Sequence, residues 1–192
     1  MTKNEAKGIW VFAEQRHGTL DKTALELLGK AAELKAVNGE PVTAILAGCG
    51  VEALAATLIA HGADRVIVAE SEALENYSAR PYQRAVAALA AKHAPSIFIF
   101  PATALGRDLA PRVMCSLGTG LTADAVDLGF DEAGVDAQVL GHVRDNLVDT
   151  NDELVIGLIG LNRPDLLDAF FVVAGLAHRD RTRRRHPVQR LV

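Results

Sequence analysis

The stretch Ala47-Gly48-Cys49-Gly50-Val51-Glu52-Ala53 carries the Gly-x-Gly-x-x-Ala spacing of a loose dinucleotide-binding turn. In a true fingerprint the glycines let backbone N–H groups close on a pyrophosphate at a helix N-terminus. An acid roughly 20 residues later then takes the ribose hydroxyl. Glu70 stands in that place. The turn follows the second apolar run of the chain, however, and not the first. Glycines also serve any strand-to-helix turn for backbone reasons alone. Two readings stand at this point: a nucleotide site, or only a turn.

The richest polar stretch is Pro101 to Asp124, PATALGRDLAPRVMCSLGTGLTAD. Arg107 and Arg112 beside Asp108 suit either a docking or anion-binding surface or a charge-paired structural corner. Gly118-Thr119-Gly120 implies a tight chain reversal straight after a helix. The histidines, His17, His61, His93, His142, His178 and His186, are scattered and make no metal spacing such as HExxH. His61 and His93 fall near helix ends, where an imidazolium suits the dipole. Cys49 and Cys115 form no CxxC and are expected to be buried free thiols of a reducing compartment. Neither a Gly-x-Ser-x-Gly elbow nor a GxxxxGK[ST] loop occurs. No catalytic residue and no metal ligand is expected, and a metal-dependent or hydrolytic enzyme has no supporting constellation.

The elements that would position these residues alternate along the first two-thirds of the chain. GIWVFAE is a strand. A helix follows, with Ala24, Leu27, Leu28, Ala31 and Leu34 on one face and its stop at Asn38-Gly39. PVTAILA is a second strand, and residues 51–61 form a helix ending at Gly62. RVIVAE is a third strand. A third helix spans 81–93 with Pro81 at its first position. SIFIFPA is a fourth strand. The fourth helix is expected to take Asp108 as N-cap, which places Pro111 in the first turn, where its missing N–H costs nothing. Near-continuous apolar strands are buried on both faces, as in a parallel sheet covered by helices. The order βαβαβαβα argues a doubly wound α/β domain.

After about residue 121 the rhythm breaks. One or two strands are expected around a turn at Glu132-Ala133-Gly134, a further strand over 154–161, and a helix over 165–177. The last fifteen residues, which hold Arg179, Arg181, Arg183, Arg184, Arg185 and Arg190, read as exposed and mobile. The chain has 192 residues, which suits one domain or one domain plus an appendage. Its formal net charge of −4 gives no reason to expect nucleic-acid binding. The apolar runs LVIGLIGL and LLDAFFVVAGLA are too short to span a bilayer, so no membrane insertion is expected. The N-terminus carries no apolar signal core. A cytoplasmic protein of bacterial or archaeal type is expected.

GRDLAPRVMCSLGTGLTAD resembles the signature of the N-terminal domain of the electron transfer flavoprotein alpha subunit. IWVFAEQRHGTLDKTALELLGKAAEL, GVEALAATLIAHGADRVIVAE and YSARPYQRAVAALAAKHAPSIFIFPATALGRDLAPR resemble that domain's earlier elements in the same order. The resemblance covers about residues 8–128. It implies a mainly parallel α/β fold of the adenine nucleotide alpha hydrolase-like, or Rossmann-like, kind over residues 1–130, with residues 131–192 an atypical extension. It also implies a heterodimer with a beta subunit that carries electrons, through FAD, from flavin dehydrogenases to a quinone reductase or another acceptor. In that family the FAD is held mainly by the alpha subunit's C-terminal domain, and AMP, where present, belongs to the beta subunit. No AMP is therefore expected on this chain, and Glu70 becomes an ordinary strand-end acid.

Beyond about residue 130 the resemblance stops, and the family's flavin-domain motifs are not recognisable. A disrupted reading frame or a short paralogue with its own C-terminal piece would each account for that. The expected role is architectural: an electron-carrier component with no catalytic residues of its own. Arg107, Asp108, Arg112 and Thr119 are the expected interface residues, and no cofactor-binding residue is assigned. The rival reading is a small adenine-nucleotide-binding α/β module without a redox role.

Overall fold

The computed structural model describes residues 7–121, 128–130, 137–138, 155–160 and 170–175. Strand β1 (Ile9–Ala13) leads into a small hairpin, β2 (Gln15–Arg16) and β3 (Thr19–Leu20), and then helix α1 (Lys22–Asn38). Strand β4 (Val42–Gly48), helix α2 (Leu54–Ala60), strand β5 (Arg65–Glu70), a 3-10 turn at Glu72–Leu74, helix α3 (Ala79–His93), strand β6 (Ile97–Pro101) and helix α4 (Ala104–Leu117) follow. The short strands β7 (Gly129–Phe130) and β8 (Ala137–Gln138) pair antiparallel with each other. Strands β9 (Val155–Gly160) and β10 (Phe170–Gly175) complete the described elements.

Six strands form one sheet in the order β5-β4-β1-β6-β10-β9, parallel throughout except for β9 against β10. Successive side chains of a strand point to opposite faces, and β1 shows the consequence. Ile9, Val11 and Ala13 join Leu27, Leu28, Ala31 and Leu34 of α1 in one buried cluster. Trp10 and Phe12 join Tyr82, Val86, Leu109 and Val113 of α3 and α4 in the other. The sheet is thus covered on both faces, the doubly wound arrangement expected from continuous apolar strands. Every residue of β1, β4 and β6 is buried, whereas Val66, Ile67, Val68 and Ala69 of β5 are half-buried because that strand lies at the sheet edge.

Local chemistry fixes the helix ends. Asp21 caps α1 by accepting a hydrogen bond from Thr23 N at 2.9 Å, and Gly39 closes it in the left-handed region at φ 74°. Several boundaries differ from the sequence expectation. Helix α2 begins at Leu54 and not at residue 51, because the residues after Gly50 are spent turning the chain. Helix α3 begins at Ala79, so Pro81 is its third residue, still inside the first turn where no N–H is needed.

The fourth helix departs most. Its N-cap is Thr103, whose Oγ1 accepts from Gly106 N at 3.0 Å, and not Asp108. Asp108 is therefore a side chain on the helix body, and Pro111 sits inside the helix, where it has no N–H to donate. Residues 170–175, expected within a helix over 165–177, form strand β10 beside β6. The run FFVVA is rich in aromatic and β-branched residues, which favour a strand over a helix. The expected strand over 154–161 is present as β9, and the expected short strands as β7 and β8. The turn at residues 132–134 and the last fifteen residues lie outside the described residues.

Candidate functional site

In an open α/β sheet the chain leaves neighbouring strands in opposite directions where the strand order reverses. That opens a crevice at their carboxyl ends. Here the reversal lies between β1 and β6, and the residues just beyond them meet. Glu14, directly after β1, is 0% exposed, and its carboxylate is fully engaged. Arg16 donates to Oε1 from Nε at 3.2 Å and Nη2 at 3.0 Å, and the Thr103 hydroxyl, just after β6, donates to Oε2. A buried carboxylate costs several kcal/mol unless paired and hydrogen-bonded, and these two partners supply both conditions. Thr103 thereby links the N-terminus of α4 to the end of β1.

The hairpin after β1 turns through His17 and Gly18, both at positive φ (49° and 75°). Two-residue hairpin turns need that geometry, because it matches the twist of the strands. Gln15 secures the hairpin: its Oε1 accepts from Gly18 N at 3.1 Å, and its Nε2 donates to the Ala47 carbonyl at 3.0 Å. The loop after β5 brings Glu75, Asn76 and Tyr77 alongside. Tyr77 and Tyr82 pack edge to face with ring centroids 5.0 Å apart. The Tyr82 hydroxyl donates to the Leu74 carbonyl at 2.9 Å. Between these segments lies a cleft of about 380 Å³, lined among others by Arg16, His17, Glu75, Tyr77, Leu105 and Asp108.

Asp108 ties the cleft wall together. It accepts from the Tyr77 hydroxyl at 2.6 Å and from Arg112 Nε and Nη2 at 3.0 and 2.8 Å. The Arg112 guanidinium and the Tyr77 hydroxyl hold the Asp108 carboxyl below its usual range. Partial burial and the Asp108 carboxylate push the Tyr77 phenol up. Arg107 donates from Nε to the Ala102 carbonyl at 3.1 Å. Thr119 follows Gly118, which stands at φ 66°, and its N–H reaches the Met114 carbonyl at 3.2 Å, so the expected chain reversal is present. Its Oγ1 is shielded from solvent with no hydrogen-bond partner among the described residues. Of the four residues expected to share one surface, Arg107, Asp108 and Arg112 lie on one helix, and Thr119 lies just past its end with its hydroxyl turned inward.

The glycine turn has a different geometry from a nucleotide cradle. The Gly50 N–H, which would face a pyrophosphate, donates to the Glu70 carboxylate. The acid that would hold a ribose is thus spent closing the turn itself. A Cβ at Gly48 would stand 2.5 Å from Val51 Cγ1, so the glycine there is a packing requirement. The described residues at this turn do not fit a dinucleotide such as FAD. Cys49 in the same turn is exposed, as is Cys115, contrary to the expectation of buried thiols. Both follow from the boundaries above: one lies in a surface turn, the other on the outer face of α4. Desolvation and the Glu70, Glu75 and Glu72 carboxylates push the Cys49 thiol up, the opposite of what an activated nucleophile requires. His61 ends α2, with Nδ1 2.8 Å from the Thr57 carbonyl, and His93 is the last residue of α3.

Glu14, Gln15, Thr103, Tyr77 and Tyr82 build the site but carried no signal in the sequence reading. Glu14 and Thr103 are legible only once β1 and β6 are known to be neighbours. Among the described residues no group of His, Cys, Asp or Glu side chains could hold a metal ion. No helix there is long and apolar enough to cross a membrane.

The fold and the carboxyl-edge cleft define a Rossmann-like doubly wound domain. The profile of the electron transfer flavoprotein domain matches residues 9–144, and the chain belongs to that family. It is 44% identical over 147 residues to the electron transfer flavoprotein subunit alpha of Thermoanaerobacterium thermosaccharolyticum, covering 77% of this chain and 44% of the relative. It is 46% identical over 128 residues to the subunit of the same name from Megasphaera elsdenii, covering 67% of this chain and 38% of the relative. It is 38% identical over 130 residues to the lactate dehydrogenase (NAD(+),ferredoxin) subunit LctC of Acetobacterium woodii, covering 68% of this chain and 31% of the relative. The chain spans less than half the length of these relatives. Several of the relatives are named for electron transfer, and two are named as subunits of a reductase or dehydrogenase.

Proposed function

We propose that this chain acts as the N-terminal scaffold domain of an electron transfer flavoprotein alpha subunit and pairs with a beta subunit. The observation that carries the reading is the match over residues 9–144, which takes in every element from β1 to α4 at high identity to alpha subunits. The domain contributes position, not chemistry. Its sheet is buried on both faces, and its loops are bound internally, as Glu14, Glu70 and Asp108 show. Such a body holds its shape when a partner docks.

The outer face of α4 is the proposed docking surface. Arg107, Asp108 and Arg112 carry it, with the Asp108–Arg112 pair holding both side chains in one geometry at 40% and 45% exposure, and the backbone at Thr119 continues it past the helix end. FAD, when held by the assembled protein, passes electrons singly or in pairs. The occupied Gly50 N–H supports placing that cofactor on another domain. The flavin dehydrogenases and the quinone reductase or other acceptor of the family are the proposed exchange partners, and the proposed compartment is the cytoplasm. The domain division at about residue 130 is likewise proposed.

The test is co-expression of the chain with an electron transfer flavoprotein beta subunit, followed by purification through a tag on the beta subunit. The reading predicts that this chain co-purifies and that Arg112→Glu with Arg107→Glu abolishes it while lowering the melting temperature by no more than a few degrees, since both pairs are exposed. Retention of the variant at the native ratio would overturn the docking surface. Failure of the unaltered chain to co-purify would overturn the pairing itself.

A further inference from the structure

The cleft at the β1/β6 switch point shares only Asp108 with the proposed docking surface, and it has the marks of a ligand site in its own right. One wall is aromatic and apolar, made by Tyr77, Tyr82, Ala104 and Leu105. Two of the carboxylates nearby are already answered from within: Glu14 by Arg16 and Thr103, Asp108 by Arg112 and Tyr77. Arg16 uses only part of its fork on Glu14, and its side chain remains 62% exposed. His17 lines the same cleft and makes no hydrogen bond among the described residues.

His17 also stands at φ 49°, the left-handed conformation the hairpin turn requires, which a histidine adopts at more cost than a glycine. A side chain placed at the cleft with no hydrogen-bond partner among the described residues is available to something outside the chain. Asn76 supplies an amide at the same rim, with its donor and acceptor uncommitted among the described residues.

We propose that this cleft binds a small planar aromatic anion, with the ring against Tyr77 and Leu105 and the anionic group at Arg16 and His17. The volume of about 380 Å³ lies at the low end for small-molecule sites and suits a ligand of one or two rings. Glu75 at the rim carries the same charge as the anion, so the ligand's anionic end faces the hairpin and not the loop after β5. The proposal is independent of the pairing with a beta subunit.

The whole chain, labelled with nitrogen-15, is titrated with benzoate and with phenyl phosphate, and with acetate and inorganic phosphate as ring-free counterparts. Saturable shifts of the Gly18, Asn76 and Leu105 amides with a ring-bearing anion are expected. Benzoate alone, phenyl phosphate alone, or both would identify the anionic group. His17→Gly relieves the turn, so it is expected to keep or raise the melting temperature while weakening binding about tenfold, the loss expected for one charged or polar contact. Tyr77→Leu is expected to weaken it by a similar factor. No saturable shift from either ring-bearing anion overturns the proposal. So do equal shifts from the ring-free anions, or undiminished binding by His17→Gly.

Discussion

Replacing Gly106 by alanine tests how tightly α4 is seated on the end of β6. A Cβ built at Gly106 would lie 1.8 Å from the Pro101 carbonyl oxygen and 2.9 Å from its carbon, where real Cβ atoms essentially never come below 3.0 Å. The obstacle is backbone, so no rotamer change relieves it. The first turn of α4 must lift by more than an ångström. That motion pulls Thr103 off the Glu14 carboxylate and Asp108 away from Tyr77, so the clash propagates into the cleft. Overpacking costs about 1–3 kcal/mol and more where the backbone must move, while alanine regains about 1 kcal/mol of helix propensity. The net expectation is a loss of about 2–3 kcal/mol, or roughly 4–12 °C in melting temperature for a domain of this size. Gly29 is the control. It lies on the exposed side of α1, a Cβ there meets nothing within 4 Å, and Gly29→Ala should gain about 0.5–1 kcal/mol. Urea unfolding of the three proteins, followed by far-UV circular dichroism, gives both values. A Gly106→Ala protein as stable as the native one would refute the seating of α4 and the packing argument with it.

The only two tyrosines, Tyr77 and Tyr82, both have phenols pushed above their ordinary value of 10.0, chiefly by burial. Absorbance at the phenolate band should therefore stay flat through pH 10 in the folded chain and rise on unfolding. A raised folded value means the associated stability is complete below pH 10 and declines as pH rises beyond it. Asp64 behaves in the opposite sense. It accepts from Lys35 Nζ at 2.5 Å and Val42 N at 2.8 Å, which together hold its carboxyl low. Its contribution is present above the unfolded carboxylate value and is lost as pH falls through the folded one. With a side chain 38% exposed, its charge is partly screened, so Asp64→Asn should cost no more than about 1 kcal/mol at pH 7, with the difference vanishing by about pH 2. Cys49 should react with iodoacetamide at pH 8 more slowly than the same thiol in the urea-unfolded chain, since burial of its surroundings and three carboxylates disfavour the thiolate. A faster reaction in the folded chain would contradict that electrostatic picture.

The layers of the fold were legible because the apolar runs around residues 9–13, 42–48, 65–70 and 97–101 leave no polar face, and only a doubly covered sheet accepts such strands. The cap at Gly39 was legible for the same local reason: a left-handed residue is needed there and glycine supplies it. What the sequence hid was contact at long range. Thr103 was unreadable as the cap of α4 because Asp108, followed by Pro111, made an equally good local cap. The choice between them is settled by the Glu14 carboxylate that Thr103 also satisfies, 89 residues away. Glu70 at 20 residues from Gly50 was visible as a spacing, yet the same spacing serves a ribose or a backbone N–H, and only the geometry separates the two. Phe170 to Gly175 failed for a third reason. A short apolar run is ambiguous between helix and strand until its neighbour, here β6, is known.

Pairing with a beta subunit is the proposal on which the scaffold role rests. The most direct measurement is the mass, by light scattering in line with gel filtration, of the chain co-expressed with an electron transfer flavoprotein beta subunit. The account predicts a single species whose mass is the sum of one copy of each. Two separate peaks, each at the mass of its own chain, would contradict it.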